Sequence, residues 1–158
     1  MTTKADFTDE EWERLERAPM VAGMAITLAD PGGPIEVVKE SMAAMKTATA
    51  APADGGELLE DVAKSVNEKM QKRQNPIRGF RPKGALASQE IIEELQAVNE
   101  LVKQKATPEE AAAFREWLLT AAKKSADAAK EGGFMGFKAE RVSDGEQKML
   151  DKLGEVLG

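Results

Sequence analysis

Apolar residues recur three and four positions apart in the long segments of this chain, and this spacing predicts amphipathic helices. Two segments show the pattern most clearly, one carrying Ile91, Leu95, Val98 and Val102 and the other Phe114, Leu118, Ala121 and Ala122. No segment shows the alternation of apolar and polar residues that is typical of a half-buried strand. The sequence therefore predicts an all-α fold, a compact bundle of six or seven helices.

Capping residues predict where several helices begin. Thr8, Thr107 and Ser143 are each followed three positions later by a glutamate, which is the capping-box pattern. Pro19 lacks an amide hydrogen, so we expect it to end or kink the first helix. The apolar segment from Met20 to Ala29 then becomes a second helix at the centre of the core.

The length of 158 residues and the 42% hydrophobic content predict one helical domain spanning 1–158. Prolines and glycines predict a basic loop at about 75–87. The apolar segment from Met20 to Ala29 is about half the length that a membrane span needs. The first residues are polar and acidic, unlike a secretory signal. We expect no membrane association and a cytoplasmic location.

The chain contains no cysteine, no histidine and no tyrosine. Their absence excludes disulfides, zinc sites with thiolate or imidazole ligands, and the classical catalytic triads. Lysine or carboxylate chemistry in a closed pocket remains possible for an enzyme, but the composition favours a non-enzymatic protein with no cofactor. A helix bundle can also hold an apolar molecule between its helices, and Met24, Met42 and Phe114 are candidates to line such a pocket.

Positive charge is concentrated in one part of an otherwise acidic chain. The formal net charge is −6, yet residues 64–83 contain seven basic residues and one acidic residue. This segment predicts an anion-binding surface or, alternatively, a solvated helix end. Phe80 is the one aromatic residue there that can stack on a base, so we expect no sequence-specific nucleic-acid binding. The anion-binding candidates are Lys72, Arg73, Arg78, Arg81 and Lys83.

Large apolar residues fit either a core or an interaction surface. Trp12 and Trp117 can anchor the core or centre a self-association surface, because tryptophan is enriched in interface hot spots. Phe134, Met135 and Phe137 lie in a glycine-bearing loop that must cover the core or expose an apolar patch. Methionines at helical spacing are expected to fill the core. They are Met20, Met24, Met42, Met45, Met70 and Met149.

Two segments resemble parts of a known family. The segment LLTAAKKSADAAKEGGFMGFKAERVSDGEQKMLDKLGEVLG and, more loosely, MAITLADPGGPIE resemble tellurite-resistance-protein-B-like domains. Together they cover about a third of the chain, which is also similar to uncharacterised bacterial helical proteins. The family resemblance implies cation binding in a stress response, with Asp30, Glu36, Asp144 and Glu146 as the metal candidates.

These observations favour a helical interaction protein that self-associates into a homo-oligomer or binds a protein partner. The alternative is a cation- or anion-responsive binding module of a stress response. The two hypotheses differ in the surface they use. The first depends on exposed apolar side chains, and the second depends on grouped carboxylates or grouped cations.

Overall fold

The computed structural model describes residues 2–30, 33–131 and 143–158. These residues form six α-helices and no β-strand, which confirms the all-α prediction. Short 3₁₀ turns precede α1 and α4, at Lys4–Asp6 and Gly84–Leu86. The helices are α1 (Asp9–Ala29), α2 (Pro34–Ala48), α3 (Glu57–Gln71), α4 (Ala87–Lys105), α5 (Pro108–Glu131) and α6 (Asp144–Val156).

The predicted capping boxes are present at the starts of α1 and α6. The Thr8 hydroxyl accepts a hydrogen bond from the Glu11 amide at 3.1 Å, and the Thr8 amide donates to the Glu11 carboxylate at 2.8 Å. Ser143 and Glu146 make the same reciprocal pair at 3.2 and 3.0 Å. These bonds satisfy amide groups that a helix start leaves without intrahelical partners.

Helix α1 is the central element of the bundle, and it contacts each of the other five helices. Of the two outcomes predicted for Pro19, an end of the first helix is wrong, because α1 continues through Pro19 to Ala29. Pro19 cannot donate to the Leu15 carbonyl, but both residues are buried, and packing from all sides outweighs the missing bond. One continuous helix therefore replaces the two that the sequence predicted.

One main apolar cluster joins α1, α3, α4, α5 and α6. The predicted inward faces of α4 and α5 are confirmed, since all eight residues that define them are buried. Leu153 and Leu157 complete the cluster from the C-terminal end of the chain. No helix within the described ranges is both long enough and apolar enough to cross a bilayer.

Helix α2 packs against α1 and α5 through small and polar residues. A Cβ atom added at Gly23 would lie 2.6 Å from the Ala44 Cβ and 2.9 Å from the Ser125 hydroxyl. That hydroxyl donates to the Glu40 carbonyl at 3.2 Å, and the buried Glu40 carboxylate accepts a hydrogen bond from Thr27. The three helices therefore approach too closely for large side chains at these positions.

Candidate functional site

The outer face of α2 exposes large apolar side chains. Ile35 is 68% exposed, Val38 55% and Met42 67%, and these three residues are called the α2 ridge below. The prediction that Met42 fills the core is wrong, as it is for Met70, which is 42% exposed. Because the small face of α2 makes the close contacts with α1 and α5, the larger side chains remain in solvent.

The α2 ridge has the spacing of a helix-pairing surface. Its members lie three and four positions apart, which places them in one narrow row along the helix. Lys39 and Lys46 follow Ile35 and Met42 by four positions, so they lie beside the row. The ridge is therefore an apolar strip with a basic edge.

A groove of about 520 Å³ lies between α2 and α5. This α2–α5 groove is lined by Ala43, Lys46, Thr47, Ala50, Pro52, Trp117, Thr120, Lys124, Asp127 and Ala128. The predicted pocket of Met24, Met42 and Phe114 is wrong, because Phe114 is inside the core while Met42 is on the outer face of α2. The groove instead combines an apolar floor with two lysines.

The predicted basic residues are all exposed, and none forms an ion pair with a carboxylate in the part of the chain that the structure describes. Arg81 lies in a depression beside Glu90 and Glu93, whose charges oppose its own. The structure therefore does not gather the five predicted cations around one cavity. They are Lys72, Arg73, Arg78, Arg81 and Lys83.

A buried arginine holds this basic segment against α1. Arg17 donates to the Arg78 carbonyl at 3.2 Å, and its guanidinium lies 5.7 Å from the centre of the Phe80 ring. Arg17 also lies 3.7 Å from Glu94 of α4. Phe80 is thus part of the packing between the segment and α1, with the Arg17 guanidinium over its ring.

Both tryptophans lie in the core, where Trp12 is 2% exposed and Trp117 is 1% exposed. The Trp12 indole donates to the Ser65 hydroxyl at 3.0 Å, and the Trp117 indole donates to the Thr47 carbonyl at 3.0 Å. Of the two roles left open by the sequence, the structure gives both residues the core role. The three other interaction candidates, Phe134, Met135 and Phe137, lie outside the described residues.

The metal candidates are only partly brought together. Asp30 follows the last residue of α1 and lies close to Gly145 at the start of α6. A Cβ atom added at Gly145 would lie 3.8 Å from the Asp30 Cβ. Glu146 caps α6 through Ser143, Asp144 is exposed, and Glu36 lies in the first turn of α2. Among the described residues, no group of three or more metal-ligating side chains is placed to hold an ion.

One buried carboxylate has a shifted pKa. Glu16 is 2% exposed on α1, and burial raises its pKa, while the hydrogen bond from Lys69 on α3 opposes that rise. The Lys69 Nζ lies 3.0 Å from the Glu16 carboxylate. Because this lysine already engages the carboxylate, the geometry favours a structural pair that joins α1 to α3 over a reactive group.

Comparison of the chain with known protein families, curated proteins and solved structures found no match. The resemblance to tellurite-resistance-protein-B-like domains stays a prediction. The spacing of Ile35, Val38, Met42 and Met45 predicts an amphipathic helix, but sequence reasoning missed that the face carrying the ridge lies in solvent, and it missed the α2–α5 groove. The signal that points to them is the second stripe on α2, where Ala44, Thr47 and Ala48 offer a small-residue face for close packing.

Proposed function

We propose that this chain is a non-enzymatic binding protein and that the α2 ridge receives an amphipathic helix of a protein partner. The exposure of Ile35, Val38 and Met42 in one row supports this proposal, because contiguous apolar surface is characteristic of interaction sites. A helix with apolar residues at the same three and four spacing would bury the row. We place this binding in the cytoplasm, in keeping with a chain that lacks cysteine.

The charge beside the ridge favours a partner helix with an acidic edge. Lys39 and Lys46 border the row on one side, and opposite charges at such flanking positions set partner choice between paired helices. A second copy of α2 fits less well. In a two-fold antiparallel pair, the lysine edges would face each other and repel.

The test uses a fluorescent designed peptide as the partner helix, with leucines at the three and four spacing and glutamates beside them. We expect the chain to bind it more tightly than a matched peptide with lysines in place of the glutamates. Replacing Ile35, Val38 and Met42 together by Gln should weaken binding at least about tenfold, measured by fluorescence anisotropy. Gln keeps the helix propensity of α2 while it removes the apolar contacts.

Leu86→Gln is the matched control, since Leu86 is 63% exposed but lies far along the chain, before α4. It should leave binding unchanged, and circular dichroism should show the same helix content in every variant. Equal weakening by both variants would refute the ridge as the site. If analytical ultracentrifugation shows a dimer for the wild type and a monomer for the triple variant, the ridge binds a second copy of this chain and not a partner helix.

A further inference from the structure

The α2–α5 groove has the size of a small-molecule site. Its volume of about 520 Å³ falls within the range of roughly 300–1,000 Å³ that such sites occupy. It lies on the α5 side of α2 and contains none of the three ridge residues, although Lys46 belongs both to its lining and to the basic edge of the ridge. Lys124 of α5 does not border the ridge, so its replacement tests the groove separately from the partner helix proposed above.

The floor of the groove is mainly apolar. Ala43, Ala50 and Pro52 line it together with Trp117. The Trp117 indole lies behind this floor, where it is 1% exposed and its N–H donates to the Thr47 carbonyl at 3.0 Å, so it offers a ligand no hydrogen-bond donor. Such a floor fits the apolar body of a ligand.

The walls of the groove supply positive charge from two helices. Lys46 lies on α2 and Lys124 on α5, and neither forms an ion pair with any carboxylate that the structure describes. Among the described residues that line the groove, Asp127 is the one carboxylate, so the described cations outnumber the anions there. Thr120 adds a hydroxyl to the same wall. This set fits an anionic head group.

We propose that the α2–α5 groove binds a small organic anion with an apolar body, such as an aromatic or medium-chain carboxylate or sulfonate. The head group lies between Lys46 and Lys124, and the body lies against Ala43, Ala50 and Pro52, close to the buried Trp117. The two lysines explain why the ligand is an anion. The apolar floor explains why inorganic phosphate alone, which has no apolar body, would bind more weakly.

The test is a titration with 8-anilinonaphthalene-1-sulfonate, an apolar anion whose fluorescence rises in an apolar site. In the full chain carrying Trp12→Phe, Trp117 is the remaining indole, and its emission should fall as the probe binds. Lys46→Gln and Lys124→Gln should each raise the dissociation constant about fivefold. Octanoate should displace the probe.

Lys123→Gln is the matched control, because Lys123 precedes Lys124 on α5 but does not line the groove. It should leave the dissociation constant unchanged. Equal effects of the Lys123 and Lys124 variants would overturn the proposal, and so would unchanged Trp117 emission. If only the variant with Ile35, Val38 and Met42 replaced by Gln loses probe binding, the probe binds the α2 ridge. The groove proposal would then fail, and the ridge proposal would stand.

Discussion

Single polar side chains connect neighbouring helices at buried positions. Trp12 donates to Ser65 of α3, Trp117 donates to Thr47 of α2, and the Asn99 amide donates to the Leu157 carbonyl at 3.2 Å. A buried donor or acceptor that loses its partner costs more than the hydrogen bond itself contributes. These contacts therefore fix which helices are neighbours, whereas apolar burial supplies most of the stabilisation.

Glu16 makes the stability of the fold depend on pH. Burial raises its pKa above the ordinary value of 4.5, so the folded chain holds this proton at pH values where the unfolded chain has lost it. The resulting stabilisation is complete below pH 4.5 and is lost as the pH rises through the folded pKa. We expect the free energy of unfolding of the wild type, relative to Glu16→Gln, to fall as the pH rises from 4.5 through the folded pKa.

Urea denaturation at several pH values measures this difference. Glu10→Gln, on an exposed position of the same helix, controls for the loss of one negative charge. The difference in the free energy of unfolding between the wild type and Glu10→Gln should not fall as the pH rises. A free energy of unfolding of the wild type, relative to Glu16→Gln, that rises with pH would contradict the prediction.

At the scale of elements, the contact of α1 with α2 and α5 depends on the absence of a side chain at Gly23. The nearest neighbour of an added Cβ, the Ala44 Cβ, is attached directly to the backbone and cannot rotate away. Gly23→Ala should therefore destabilise the fold by about 1–3 kcal/mol, which is the usual cost of overpacking. Thermal or urea denaturation followed by circular dichroism measures the change.

Gly154 of α6 provides the opposite case. An added Cβ there meets no atom within 4 Å, so Gly154→Ala should stabilise the fold by about 0.5 kcal/mol through helix propensity alone.

Combining Gly23→Ala with Ala44→Gly should recover part of the stability that Gly23→Ala loses. A neutral Gly23→Ala would show that α2 can move away from α1, contrary to the packing described above.

The same elements show how far sequence reasoning reaches. Periodicity and capping predict the type and number of helices well, because both depend on residues that are close in sequence. Periodicity identified an apolar face on α2 but not which face is buried, because that choice depends on Gly23 and Ser125 in other helices. The prediction that Pro19 ends the first helix failed for the same reason, because α1 is buried on all sides only in the assembled bundle.

The candidate sites were less predictable than the helices. The groove depends on Lys46 and Lys124, which lie far apart in sequence and meet only through the packing of α2 on α5. The basic segment, by contrast, is visible in the sequence as a local excess of charge. Its residues do not converge on one cavity, because a high local charge does not determine the direction of each side chain.

The whole molecule is organised around one helix. Since α1 contacts every other helix and the main apolar cluster joins α1 to α3, α4, α5 and α6, separate parts of the core cannot open without exposing α1. This arrangement favours a single cooperative unfolding transition. The two tryptophans can test it, because they lie against different helices.

Trp12 lies at the contact of α1 with α3, and Trp117 lies at the contact of α5 with α2. In Trp12→Phe the remaining indole reports the second contact, and in Trp117→Phe it reports the first. For each variant, we expect the urea midpoint from fluorescence to coincide with the midpoint from far-ultraviolet circular dichroism. Each variant loses one hydrogen bond, to the Ser65 hydroxyl in Trp12→Phe and to the Thr47 carbonyl in Trp117→Phe, where the Ala50 amide remains as a donor. In Trp12→Phe, where Trp117 is the remaining indole, the fluorescence midpoint could lie at a lower urea concentration than the circular-dichroism midpoint. If it does, and the two midpoints of Trp117→Phe coincide, then α2 detaches first. The bundle would then consist of a cooperative core of five helices and a separable α2.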